Sequence, residues 1–169
     1  MVTINQIFNK INVDSNFKGL ILEKLYYSYE IFKDDTQTLV DKCRDFNPEV
    51  LLAVARGGLT LSHLMAQALD IRNLFSINCI SYDKNKQISA PNIFNIPNLA
   101  DVKKVLIIDD IVDSGKTMKE IIKILKEKFP KVEFKLATIF YKKTAVIKPD
   151  YYVKNADVWI DFFWEVDVK

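Results

Sequence analysis

The densest chemistry in the chain lies at residues 105–117. The apolar run Val105-Leu106-Ile107-Ile108 passes into Asp109 and Asp110, then Ile111 and Val112, then Asp113-Ser114-Gly115-Lys116-Thr117. An unbroken apolar run predicts a central parallel strand buried on both faces. In open α/β sheets ligands bind beyond the carboxyl ends of such strands, which places the acidic pair and the small-residue turn at a binding edge. Ser114, Gly115, Lys116 and Thr117 offer hydroxyls and backbone N–H groups at the start of a helix predicted over 118–129. The first N–H groups of a helix have no intrahelical partner and its dipole favours an anion, so this turn suits a phosphate. The acidic pair suits the neutral, hydroxyl-rich part of a ligand, or a Mg²⁺ ion bound to it. Together they describe a site for a phosphorylated sugar.

Gly115-Lys116-Thr117 also matches the end of a Walker A loop, but the spacing rejects that reading. The glycine required five residues before the Gly-Lys pair is here Asp110, whose charge would repel the phosphates such a loop cradles.

The run resembles the phosphoribosyl-pyrophosphate (PRPP) motif of the type I phosphoribosyltransferases: an apolar stretch, two acidic residues, two apolar residues, then Asp/Thr-Thr/Ser-Gly-x-Thr. The resemblance implies that Asp109 and Asp110 contact the ribose hydroxyls or Mg²⁺. It implies that Asp113 acts as general base beside the imidazole nitrogen of the base, and that Asp113, Ser114, Gly115, Lys116 and Thr117 wrap the 5′-phosphate. Lys116 replaces the small residue often found there, and its charge is welcome at a phosphate.

Four further segments extend the resemblance. Val54-Ala55-Arg56-Gly57-Gly58 resembles the pyrophosphate loop of the purine enzymes; Arg56 supplies a guanidinium, while Gly57 and Gly58 let backbone N–H groups come close to a diphosphate. Ser81-Tyr82 opens a long polar segment, 81–100, and resembles the mobile lid of the hypoxanthine-guanine and xanthine-guanine enzymes. Such a lid would keep water from the positive charge left on the ribose as pyrophosphate departs. Lys142, after the next strand, stands where the purine enzymes contact the 6-oxo group. Trp159-Ile160-Asp161-Phe162-Phe163-Trp164-Glu165 resembles their Trp-Ile-x-x-Pro-Trp-Asp/Glu segment. There Trp159 would stack on the base, with backbone carbonyls nearby, Ile160 among them, accepting its hydrogen bonds. Phe163 replaces the family proline, which leaves the identity of the base open.

The elements that must position these residues follow from hydrophobic periodicity. Ile4, Ile7, Phe8 and Ile11 recur at helical spacing, with Thr3 as cap, predicting a short amphipathic helix in an N-terminal extension, 1–24. Residues 25–29 read as a strand, and Asp34 and Asp35 then introduce a helix that runs to Phe46. Residues 50–54 form a buried parallel strand, followed by a helix to Leu69; 75–80 and 135–140 are further strands, and 142–150 is a loop. The piece 151–169 is aromatic and has no helical period. Alternating strands and helices point to an α/β fold, a doubly wound and mainly parallel sheet. By resemblance this is the type I phosphoribosyltransferase fold with a small hood, built from the chain ends, over the base.

The 169 residues, 49% hydrophobic and 27% charged with a net charge of +2, suit a single domain over 1–169. The charge is too small and unclustered to argue for nucleic acid. No stretch approaches a membrane span and the polar start does not read as a signal peptide, so the expected location is cytoplasmic. Cys43 and Cys79 lack metal-ligand spacing and read as reduced core residues, and His63 has no partner placed to make it catalytic. The expected activity is Mg²⁺-dependent transfer of phosphoribose from PRPP to a 6-oxopurine by a homodimer or homotetramer. The alternatives are transfer to another base, or PRPP sensing without catalysis.

Overall fold

The computed structural model describes residues 24–83 and 86–167. The N-terminal helix expected around Ile4 to Ile11 lies outside the described residues. The chain runs β1 (Lys24–Tyr27), α1 (Tyr29–Cys43), a short 3₁₀ turn (Arg44–Phe46), β2 (Val50–Ala55), α2 (Gly58–Ala68), β3 (Leu74–Asp83) and β4 (Lys86–Phe94). It continues through β5 (Lys104–Val112), α3 (Lys116–Lys128), β6 (Glu133–Tyr141), β7 (Tyr151–Asn155) and β8 (Trp159–Phe162). Among the described residues no helix is long and apolar enough to cross a membrane.

Six strands form one sheet in the order β4-β3-β2-β5-β6-β7, parallel except for β4, which returns antiparallel along β3. Side chains alternate across each strand and so divide the core in two. Leu51, Leu106 and Ile108 pack with Phe32 and Leu39 of α1 and with Leu61 and Met65 of α2. Val50, Leu52, Val105 and Ile107 pack with Met118, Ile121 and Leu125 of α3 on the other face. This two-sided burial is the doubly wound arrangement expected from the sequence. The chain leaves β2 toward β3 on one side and later places β5 on the other, so the connections reverse between β2 and β5, where a ligand crevice opens.

The two ends of the described chain meet. β1 pairs in parallel with β8 to make a separate two-stranded sheet, with Tyr27 opposite Phe162. This is the hood.

Three expectations are corrected. The first helix starts at Tyr29, capped by the Ser28 hydroxyl, which accepts from the Ile31 N–H at 3.4 Å; Asp34 and Asp35 lie inside it. The two carboxylates read as a cap, yet Asp35 is buried, an environment only distant residues could supply. The segment 81–100 is not a loop throughout: β3 extends to Asp83 and β4 runs from Lys86 to Phe94, with a register shift between Ile80 and Tyr82. Its two prolines and four asparagines suggested a loop, but Pro91 falls on β4, a sheet edge, where a proline need not break the ladder. Finally, β5 continues to Val112, so Asp109 and Asp110 are strand residues.

Candidate active site

The carboxyl ends of β2 and β5 frame a cleft of about 320 Å³, walled by Gly57, Asp109, Asp110, Asp113, Ser114 and Thr117. Cys79 of β3 closes one side. Successive strand side chains leave on opposite faces, yet both carboxylates reach the cleft, and the Asp110 backbone N–H donates to Asp109 Oδ1 at 3.0 Å. Burial, and then the neighbouring charge of Asp110, push Asp109 well above the usual carboxylate range. Burial chiefly, with the charge of Glu165, pushes Asp110 up to about 6.

The glycines are dictated by β5. A Cβ on Gly58 would run into the Ile108 carbonyl oxygen and stand 3.0 Å from Asp109 Cα, and a Cβ on Gly57 would fall 2.5 Å from Asp110 Oδ2. These residues let the start of α2 press against the strand that carries both carboxylates, a packing need that precedes any diphosphate. The Ala55–Arg56 peptide is cis.

Beyond β5 the turn is braced from outside. Gly115 has φ +72°, in the left-handed region that favours glycine, and a Cβ there would stand 2.9 Å from Ile147 Cγ2. The Val146 N–H donates to the Ser114 carbonyl at 3.0 Å. The loop after β6 thus holds the 113–117 turn in place, with α3 starting at Lys116.

A second cavity of about 460 Å³ adjoins the first, the two sharing Asp110, Ile111 and Asp113. Its walls include Lys142, Trp159, Ile160 and Phe162, with Asp157 and Glu165 at its polar rim. Lys142 Nζ lies 2.9 Å from Asp113 Oδ1. Phe163 packs on Tyr29, Phe32 and Trp164, with ring centroids 4.8 to 5.7 Å apart, and is not among the residues lining this cavity. The residue that departs from the family proline therefore anchors the hood turn to α1.

Most residues singled out in the sequence converge here. Gly57, Asp109, Asp110, Asp113, Ser114, Gly115 and Thr117 line the first cavity, and Lys142, Trp159 and Ile160 line the second. Arg56 and Lys116 are exposed and line neither. Gly58 works behind the wall. Ser81 and Tyr82 lie on β3. Sequence reasoning missed Asp157, Phe162 and Glu165 as wall residues; the signal was present for Phe162, which shares a strand face with Ile160 at a spacing of two.

Two adjoining cavities lie at the switch point of a parallel sheet, one against the turn that opens α3 and one under an aromatic hood. The phosphoribosyl transferase domain family matches residues 26–169. The chain belongs to that family. Among solved structures, this phosphoribosyltransferase is similar to a xanthine-guanine-hypoxanthine phosphoribosyltransferase of Helicobacter pylori, with 42% identity, 85% of this chain and 95% of that chain covered, and a TM-score of 0.79. A purine phosphoribosyltransferase from Pyrococcus horikoshii is 32% identical, covering 86% of this chain and 96% of that one, with a TM-score of 0.73. The xanthine-guanine phosphoribosyltransferase of Cereibacter sphaeroides is 32% identical over 124 residues, 70% of each chain.

Proposed function

We propose that this phosphoribosyltransferase transfers the phosphoribosyl group of PRPP to a 6-oxopurine (xanthine, guanine or hypoxanthine), releasing pyrophosphate and a nucleoside 5′-monophosphate in purine salvage. The observation that carries this reading is the junction of the two cavities at Asp110, Ile111 and Asp113. A ribose there would have its phosphate at the turn that opens α3 and its anomeric carbon toward the hood. The names of the similar purine enzymes support the choice of base.

In this reading Ser114, Gly115, Lys116 and Thr117 hold the 5′-phosphate through hydroxyls and N–H groups. The Arg56-Gly57 loop is assigned to the pyrophosphate, with Gly58 packed behind it against β5, and Trp159 and Ile160 hold the base. As the purine nitrogen attacks the anomeric carbon, the new C–N bond forms while the C–O bond to pyrophosphate breaks, its electron pair leaving with the diphosphate. Asp113 accepts the proton from the attacking ring. The Lys142 ammonium faces the 6-oxo group, where it steadies negative charge on the base. The β3–β4 hairpin, with Ser81 and Tyr82, is the segment assigned to excluding water.

Asp109 and Asp110 would hold Mg²⁺, directly or through the ribose hydroxyls. Their fit rests on the donor set, hard carboxylate oxygens on adjacent residues, whose charged forms burial disfavours. Bound there, the ion would neutralise the departing diphosphate. The same reading carries a homodimeric or homotetrameric assembly and a cytoplasmic setting.

Pyrophosphate release from PRPP with a panel of purines and pyrimidines, with and without Mg²⁺, tests the proposal. Release with at least one 6-oxopurine and not with pyrimidines is expected. PRPP binding with no release across the panel overturns it.

A further inference from the structure

Asp35 is the most buried charged residue of α1, at 7% exposure, and it lies outside both cavities of the active site. A buried carboxylate persists only when paired and hydrogen-bonded. Here a single oxygen, Oδ2, accepts from the Tyr27 hydroxyl at 2.7 Å and from Lys154 Nζ at 2.6 Å. The three residues come from α1, β1 and β7.

Each of the other two partners leads to the base cavity. Tyr27 ends β1, is fully buried, and sets its ring edge-on against Phe140, Phe162 and Trp164 at centroid distances of 4.9 to 6.4 Å. Its carbonyl accepts from the Phe163 N–H at 3.2 Å. The hood strand opposite it supplies Trp159, Ile160 and Phe162 to the cavity wall. Lys154 lies two residues before Ala156, where the rim formed by Ala156, Asp157 and Val158 begins, and its ammonium stands 5.8 Å from the centre of the Tyr27 ring. Burial and the Asp35 hydrogen bond push the Tyr27 hydroxyl far above the usual tyrosine range, so it remains a donor at any working pH.

We infer that Asp35 is a positioning residue for the nucleobase: through Tyr27 and Lys154 it fixes the hood and the β7–β8 rim over the base cavity. The inference rests on the purine reading above. Stability alone gives weak reason for such a group, since a well-packed apolar trio often does as well as a buried ion pair. A directional polar link instead sets the angle between the hood and the main sheet. The 113–117 turn is held separately, by β5, α3 and the loop after β6, so loosening Asp35 should reach the base and spare PRPP.

Steady-state kinetics on Tyr27→Phe, Asp35→Asn, Lys154→Ala and Lys154→Arg, with guanine and PRPP varied in turn and melting followed in parallel, test this. Tyr27→Phe keeps the ring and the fold while removing the hydroxyl. The expected result is a rise of about five- to ten-fold in KM for guanine in the first three variants. KM for PRPP and kcat should stay within about two-fold, with Lys154→Arg recovering most of the loss. Parallel rises in both KM values, or a lower melting temperature with guanine KM unchanged, overturn the inference while wild-type turnover leaves the purine reading standing. A wild type that turns over none of guanine, xanthine and hypoxanthine overturns both.

Discussion

Lys142 Nζ lies 2.9 Å from Asp113 Oδ1, so the two groups assigned to the imidazole nitrogen and the 6-oxo group of the base engage each other in an open cavity. Half or more of each side chain is exposed, at 50% and 66%, and an ion pair this wet is worth at most about 1 kcal/mol. An incoming base can separate it at little cost, gaining an acceptor from Asp113 and a donor from Lys142. Lys142→Ala should therefore weaken purine binding by about ten-fold while leaving PRPP within about two-fold. Separate KM determinations check it, and equal loss for both substrates would remove Lys142 from the base site.

Asp113→Asn keeps the shape of the turn and removes the base. If Asp113 takes the purine proton, kcat should fall by about a hundred-fold or more while the dissociation constant of PRPP changes little. Single-turnover rates alongside equilibrium PRPP binding separate the two effects. Near-normal turnover would reassign the proton.

The half of the candidate site assigned to the phosphosugar was legible as a cluster because its residues are contiguous. An apolar strand, two carboxylates and a helix-opening turn follow one another between Val105 and Thr117, and local chemistry alone gives them a purpose. The half assigned to the base was singled out only by resemblance, since Lys142 and Trp159 taken singly look like a surface lysine and a packing aromatic. What could not be read was long-range compensation. Asp35 resembled a helix cap because its partner Lys154 is 119 residues away. The β4 strand resembled a loop because only an edge position tolerates its proline.

Gly57 and Gly58 looked like diphosphate ligands in the sequence, yet Gly58 is required first by the Ile108 carbonyl behind it. Backbone cannot move aside as a flexible side chain can, so Gly58→Ala should cost about 2 to 3 kcal/mol of stability. Denaturant unfolding measures this. Gly115→Ala meets both a left-handed φ of 72° and the Ile147 side chain; because it distorts the phosphate turn, it should raise KM for PRPP more than KM for the purine. A Gly58→Ala protein as stable as the parent would contradict the close approach of α2 to β5.

The two cysteines should report on the first cavity by their contrast. Cys43 is fully buried in the α1 face of the core, and burial pushes its thiol up to about 11. The thiolate is the reacting species, so at pH 8 about one Cys43 thiol in a thousand is ionised. That fraction rises about ten-fold for each unit of pH up to its pKa. Raised pKa and burial act in the same direction, and Cys43 should be alkylated only when the protein opens. Cys79 is only partly buried and lines the cavity assigned to the phosphosugar. Iodoacetamide at pH 8, read by intact mass and peptide mapping, should therefore label Cys79 first. PRPP with Mg²⁺ should slow that labelling while a free purine leaves it unchanged, because the purine is assigned to the neighbouring cavity. Protection of Cys79 by the purine alone would mean that the two cavities have been assigned the wrong way round.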